Sequence, residues 1–351
     1  MPLQELVRQI YLPPPGHGAL RLGDFFGNNN IRFFSYGRHA LLEGLKIAGV
    51  APGERVLIPG FICRDLLSAV NSLGAKVEYY PVDRLLQLSV SPDAMPDSKV
   101  ILAVNYFGFP QDLRPFRDYC KKTGAVLIED NAHGLFSRDE NSSFLGTRGD
   151  FGIFSLRKTI PMPNGAALIL NNLNAGYNLE PQIAFSPSVE PLSFRLKQLL
   201  RKIAPFIGVS LLQFVISLNR HMRRLRTGYE IMPSASDAEY ILPEGPSPSS
   251  ELFSYLSSVD VSKEIKRRRE LYIALEPILK EAGAQPVFKS LPAGVAPYAY
   301  PFYASDEQTG SINKLLRKYG LECFRWPELP DAVKSSAPEH YKTIWFVSFL
   351  W

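Results

Sequence analysis

The chain has 351 residues, 46% of them hydrophobic and 21% charged, enough to bury a large core in two lobes and too apolar for a disordered polypeptide. Its three cysteines, Cys63, Cys120 and Cys323, have neither a disulfide framework nor metal-ligand spacing, so the expectation is a reducing cytoplasm and no metal centre. The net charge of +5 is local: eight Lys or Arg and no acid lie between Pro191 and Tyr229, which leaves the rest of the chain at −3 and argues against a general nucleic-acid surface.

The residues after Met1 show no basic leader followed by an apolar stretch, and no run of about 20 apolar residues offers a membrane span. From Arg38 to Ala48 the spacing of Leu41, Leu42, Leu45 and Ala48 predicts a helix stopped by Gly49. Arg55–Ile58 reads as a strand, Asp65–Leu73 as a helix ending at Gly74, and Lys76–Tyr80 as a strand. Lys99–Asn105 is a further strand, Leu113–Lys122 a helix ending at Gly124, and Ala125–Glu129 a strand that runs into Asp130. Phe151 begins an apolar run ending in Ser155, Arg157 and Lys158, and Ala166–Leu170 is another. Strands separated by helices of about ten residues predict a mainly parallel sheet with helices on both faces, and ligands in such sheets bind at the carboxyl ends of the strands.

The large lobe is placed at 1–170. A basic and hydrophobic helical insert with linker follows at 171–248, and a smaller α+β lobe at 249–351. In that small lobe Glu251–Ala282 and Ile312–Tyr319 read as helices, and Tyr298–Tyr303 as a strand. Trp345–Trp351 reads as a closing apolar strand. Within the insert, Leu196, Leu199, Leu200 and Ile203 share a helical face, Pro205 interrupts it, and the apolar stretch from Phe206 to Leu218 runs into Arg220, Arg223, Arg224 and Arg226. Two readings stand side by side: the insert covers the large lobe with a solvated rim of arginines, or 195–226 rests on an anionic membrane surface.

Asp130 and Lys158 carry the chemistry. Taken singly, each is equally a loop aspartate after a buried strand or a surface lysine; their order along the chain gives them meaning. Tyr36-Gly37-Arg38-His39-Ala40-Leu41 opens a helix, and Pro59-Gly60-Phe61-Ile62-Cys63 follows a strand. Asn105-Tyr106-Phe107-Gly108-Phe109-Pro110-Gln111-Asp112 leads from strand to helix, and Glu129-Asp130-Asn131-Ala132-His133 closes the apolar strand. In this order the motifs resemble those of the DegT/StrS-type sugar aminotransferases, a branch of the fold-type I pyridoxal-phosphate enzymes, over about residues 35–170 and more weakly to about 330.

The resemblance implies that Lys158 bonds the cofactor aldehyde and shuttles a proton, and that Asp130 keeps the ring nitrogen protonated. It implies that Gly37, Arg38 and Ser155 hold the phosphate, that Cys63 lies against the ring and that His133 meets the ring hydroxyl. Two departures stand out. Serine and lysine are three residues apart rather than the family's five, and Met162-Pro163-Asn164-Gly165 replaces Gly-Glu-Gly-Gly. The far end is a third departure: the family's closing strand and helix do not follow Trp345–Trp351, so the expectation is either an abbreviated small lobe or a sequence that is not the whole natural protein. The implied function is transfer of an amino group from an amino acid, glutamate by family analogy, to a keto sugar, nucleotide-linked, in polysaccharide or secondary-metabolite biosynthesis by a cytoplasmic homodimer. The retained lysine argues against the sugar-dehydratase relatives, which have histidine there. The alternative is a protein of the same fold that binds cofactor or sugar nucleotide without turnover.

Overall fold

A computed structural model describes residues 5–7, 30–172, 176–187, 192, 194–196, 199–200, 203, 218, 222–228, 234–257 and 259–349. Seven strands form the large sheet: β1 (Ile31–Phe34), β2 (Arg55–Pro59), β3 (Lys76–Tyr80), β4 (Val100–Val104), β5 (Val126–Asp130), β6 (Phe151–Phe154) and β7 (Ala166–Leu170). Their order is β1-β7-β6-β5-β4-β2-β3. The five strands from β3 to β6 run parallel, and β7 lies antiparallel to both β6 and β1. The mainly parallel sheet expected from the apolar runs is therefore present. Every residue of β4, β5, β6 and β7 is buried, the signature of strands covered on both faces.

Side-chain alternation on β5 divides the two faces. Helix α1 (Gly37–Ile47) packs on the Ile128 and Asp130 side, where Gly44 lies so close that an added Cβ would sit 3.6 Å from the Ile128 side chain. Short helix α2 (Leu67–Asn71) follows a single 3₁₀ turn, Arg64–Leu66. Helix α3 (Arg114–Thr123) covers the Glu129 side, where its Arg117 donates to the Arg148 carbonyl; it stops at Gly124, whose φ of 74° suits the left-handed cap. Gly152 is required by a close approach, since a Cβ there would meet the Gly146 carbonyl oxygen at 1.8 Å.

The small lobe is a four-stranded antiparallel sheet, ordered β10 (Cys323–Arg325), β11 (Ile344–Ser348), β9 (Ala299–Tyr303) and β8 (Gln285–Pro286). The single helix expected over 251–282 is two: α4 (Leu252–Ser257) and α5 (Val261–Glu281), because Asp260 caps the second by accepting from the Lys263 amide. The helix expected at 312–319 is α6 (Asp306–Arg317), begun earlier by a capping box between Ser305 and Gln308. The last strand begins at Ile344 and ends at Ser348, and residues 350 and 351 lie outside the described part.

Between the lobes, residues 234–249 run as an irregular strap rather than a helix. Glu239 pairs with Arg64 (3.3 Å), and its carbonyl accepts from Asn71. Gly245 and Pro246 carbonyls accept from Ser35, and His39 Nε2 sits 2.8 Å from the Pro243 carbonyl. Arg64 also pairs with Glu328 and Asp331 of the small lobe. A second tie is buried: Glu264 on α5 accepts from Arg267 and Arg268, and Arg268 in turn donates to the carbonyls of Thr159, Pro297 and Tyr298. Of the insert expected at 171–248, the apolar run 206–217 and Lys197, Arg201, Lys202, Pro205 and Arg220 lie outside the described residues. Among the described residues no helix is long and apolar enough to cross a membrane.

Candidate active site

Strands β2, β4, β5 and β6 end at one edge of the sheet, and the loops leaving them enclose a cavity of about 130 Å³. All seven residues singled out in the sequence line it: Gly37, Arg38, Cys63, Asp130, His133, Ser155 and Lys158. Tyr36, Asp65, Arg157 and Trp326, to which sequence reading gave no role at the site, are among the other lining residues.

The short serine-to-lysine spacing has a local explanation. Leu156–Lys158 form one 3₁₀ turn with Ser155 as its N-cap, and the Lys158 amide donates to the Ser155 carbonyl at 3.1 Å. A 3₁₀ turn has three residues, so side chains at i and i+3 eclipse one another. Ser155 and Lys158 thus project to the same side, into the cavity, without the longer loop of the relatives.

At one end of the cavity, α1 begins after Tyr36, which is extended and gives no side-chain cap. His39 and Ala40 amides bond back to the Tyr36 carbonyl, while those of Gly37 and Arg38 have no hydrogen-bond acceptor among the described residues. Gly37 faces Ser155, to whose Cβ a side-chain carbon added at Gly37 would come within 3.9 Å, an ordinary contact. Two free amides at a helix N-terminus beside a hydroxyl form a cradle for a phosphate group.

At the other end Asp130 is 5% exposed, its Oδ1 accepting from the Ala132 amide at 2.9 Å and its second oxygen without a hydrogen-bond partner among the described residues. Burial pushes its carboxyl above the ordinary range, against the opposing pull of the Ala132 amide and of Lys158. A buried carboxylate with one oxygen free is suited to a cationic N–H donor such as a protonated pyridine. Its neighbour Glu129 points through the sheet and is fully engaged with Arg148, so only one of the two adjacent acids serves the cavity.

His133 and Lys158 meet directly, Nε2 to Nζ, at 3.1 Å. The other ring nitrogen, Nδ1, receives the Phe107 amide at 3.3 Å, from a backbone with φ 55°, a costly conformation for a bulky side chain. Nδ1 is therefore an acceptor, and the neutral ring carries its proton on Nε2. That proton points at Nζ, which can accept it only as a free amine. Burial lowers both groups, His133 well below its ordinary value. For Lys158, Arg157 adds to the lowering while Cys63 and Asp130 oppose it. Burial and the Nε2–H aimed at Nζ both favour the uncharged, nucleophilic form of the lysine. The imidazole is held in place by stacking on Tyr298 (centroids 4.4 Å apart, planes 5° apart) and by the edge of Trp326 (5.1 Å).

Cys63 borders the cavity, and burial raises its thiol above the ordinary value even beside Lys158, so it is a neutral wall rather than a second nucleophile. Trp326 belongs to the small lobe and follows β10; its sequence signal is a lone aromatic before Pro327 after a short strand. Arg157 lies at the cavity with its guanidinium 5.2 Å from the Tyr36 ring centroid. The residues present fit pyridoxal phosphate: one cavity holds an amide cradle for a phosphate, a buried acid for a ring nitrogen and an amine for an aldehyde.

Comparison with known proteins bears on the family and the fold. Residues 20–175 match the DegT/DnrJ/EryC1/StrS aminotransferase family, so the resemblance read from the motifs holds over the large lobe. Over 127 residues the chain is 29% identical to a dTDP-4-dehydro-2,3,6-trideoxy-D-glucose 4-aminotransferase of Saccharopolyspora spinosa, covering 35% of this chain and 33% of that one. Over 146 residues it is 27% identical to Protein MosB of Rhizobium meliloti, covering 40% of this chain and 28% of that one. The chain thus spans about a third of the length of the curated relatives it matches. The crystal structure of the aminotransferase TlmJ from Streptoalloteichus hindustanus superposes with a TM-score of 0.60 at 18% identity, covering 99% of this chain and 90% of that one. The fold is that of these aminotransferases.

Proposed function

We propose that the protein is a pyridoxal-phosphate-dependent aminotransferase that moves an amino group from an amino acid, glutamate in the first instance, to a nucleotide-linked keto sugar. The observation that carries this reading is the Lys158 amine, 3.1 Å from the His133 imidazole and in one cavity with a buried, half-satisfied Asp130. When bound, the cofactor supplies an electron sink for the carbon that gives up a proton. Lys158 Nζ takes that proton from the donor carbon and returns it to the acceptor carbon. Asp130 keeps the ring nitrogen protonated through its free oxygen, Gly37, Arg38 and Ser155 bind the phosphate, and Cys63 lines the ring's side of the cavity. His133 gives its one Nε2–H to the amine before the cofactor binds and would give it to the ring hydroxyl afterwards.

A sugar nucleotide is supported by the name of the Saccharopolyspora relative and by Arg157, a cation at the cavity suited to a diphosphate. By family analogy the working form is a cytoplasmic homodimer whose interface lies beside Gly37 and Lys158, placed in polysaccharide or secondary-metabolite biosynthesis. The test is a half-reaction. Protein loaded with pyridoxal phosphate should lose its visible absorbance on adding glutamate and release one 2-oxoglutarate per site. Lys158→Ala should fold, yet form no borohydride-reducible bond to the cofactor and show no half-reaction. Reducible label retained in that variant removes Lys158 from the mechanism. Loaded wild-type protein inert to every amino donor favours binding without turnover.

A further inference from the structure

A second cavity, of about 550 Å³, lies where the two lobes meet and shares no lining residue with the cavity of Lys158. Small-molecule sites are typically about 300–1,000 Å³, so it has the size of one. One wall is Asp112 with the start of α3, and another is the hairpin closed by the pairing of Arg138 with Phe144. The small-lobe turn Pro292–Gly294 forms a third, tied to the hairpin by the Arg138 amide, which donates to the Gly294 carbonyl at 2.8 Å.

Arg114, Arg117, Arg138 and Arg148 line this cavity, against Asp112, Asp139 and Glu140. Two of the acids are already occupied. Both oxygens of Asp112 accept from the Arg114 guanidinium, and Asp139 Oδ1 accepts the amides of Asn141 and Ser143 in its own hairpin. Glu140 is exposed on that hairpin. Arg117 and Arg138 have no carboxylate partner among the described residues. Arg117 donates to the Arg148 carbonyl at 3.2 Å, and Arg138 to the Ser142 carbonyl at 2.6 Å, with its guanidinium over the Phe144 ring. The Arg148 side chain is 7% exposed, yet its Nη1 makes only two long contacts, 3.4 Å each, to the Gln111 carbonyl and to Asp139. Helix α3 adds a conflict of its own. It opens with Arg114 and Arg117 and has no acid in its first turn, although the positive end of a helix dipole favours anions and opposes cations. A bound anion resolves that conflict, and local rules broken in this way mark functional sites.

We propose that this cavity binds a small phosphate-bearing anion, its oxygens held by the guanidinium forks of Arg117, Arg138 and Arg148 beside the start of α3. Planar forks from three chain segments suit a tetrahedral group with several equivalent oxygens better than a single planar carboxylate. The ligand is distinct from any cofactor at Lys158, and the inference does not depend on the aminotransferase reading. Once bound, it joins α3 of the large lobe to the small-lobe turn.

The whole chain would be titrated calorimetrically with inorganic pyrophosphate, in saturating pyridoxal phosphate so that the cradle at Gly37 and Ser155 is occupied. Pyrophosphate should bind and should bind more weakly as salt rises. Arg117→Gln/Arg138→Gln should weaken it at least about tenfold, because hydrogen bonds between charged partners are the strong ones. Arg117→Lys/Arg138→Lys, which keeps the charge and loses the forks, should fall between the two. Ser155→Ala should bind as the wild type does, which separates this site from the cradle even if the cofactor reading fails. Citrate, whose anionic groups are planar carboxylates, should bind more weakly than pyrophosphate. Far-UV circular dichroism of every variant should match the wild type. No binding of pyrophosphate by the wild type overturns the proposal, as does undiminished binding by the Gln double variant. Loss of binding in Ser155→Ala, or citrate bound as tightly as pyrophosphate, overturns it too.

Discussion

Replacing His133 by Phe tests whether the imidazole holds Lys158 as a free amine. The ring keeps its place between Tyr298 and Trp326, while the Nε2–H that Nζ accepts at 3.1 Å is lost. One such hydrogen bond is worth about 0.5–1.5 kcal/mol, which is roughly a 2- to 13-fold change in the free-amine fraction at neutral pH. The Phe107 amide also loses its acceptor, a buried-donor penalty of about 1–3 kcal/mol against stability, so the fold must be checked by thermal denaturation. The assay is the pH dependence of borohydride-trapped pyridoxal phosphate on Lys158. Because the lost bond favours the uncharged amine, the midpoint should move to higher pH and capture at neutral pH should fall within that range. A purely structural role would lower the amplitude at every pH and leave the midpoint where it was. A midpoint that stays, or moves down, refutes the tautomer argument.

Two other substitutions separate mechanism from scaffold. Asp130→Asn should still capture the cofactor but slow the half-reaction by about two to four orders of magnitude, because an amide cannot favour a protonated ring nitrogen; near-normal turnover in stopped-flow absorbance would remove Asp130 from the mechanism. Glu264→Gln should cost about 3–5 kcal/mol in denaturant unfolding, since Arg267 and Arg268 are left buried without a counter-charge. Burial alone pushes the Glu264 carboxyl up, and the Arg268 and Arg267 guanidiniums more than reverse it, so its folded value lies below the ordinary carboxylate range. The wild type therefore holds this stability above that range and loses it as pH falls through the folded value, and the variant's unfolding energy should vary less with acid. A loss below about 1 kcal/mol would show that the buried triad is dispensable.

The large lobe was legible because its central strands are covered on both faces and read as unbroken apolar runs that end in polar residues at the site. Strand β1 was not read: Ile31-Arg32-Phe33-Phe34 places an arginine mid-strand, and only the fold reveals that Arg32 is paired with Glu43 on α1. The break between α4 and α5 is decided by the Asp260 cap, which competes with helical spacing that continues on both sides. Trp326 reaches the cavity and Tyr298 stacks on His133, both from the small lobe and far along the chain from Asp130 and Lys158, and no local motif announces a contact made only by lobe packing. The short Ser155-to-Lys158 spacing could be counted in the sequence, but its meaning depends on the turn being 3₁₀, which spacing alone does not reveal.

Arg268 has a mechanical consequence. From a helix of the small lobe, one guanidinium grips the carbonyl of Thr159, next to the lysine in the large lobe, and that of Tyr298, a small-lobe residue whose ring stacks on His133. Lys158 and His133 both belong to the large lobe, so a hinge opening of the small lobe would have to break the grip on Thr159 and peel Tyr298 off the imidazole while the reacting pair stayed behind. The small lobe thus acts as a clasp, and its closure is coupled to the stacking that steadies the imidazole.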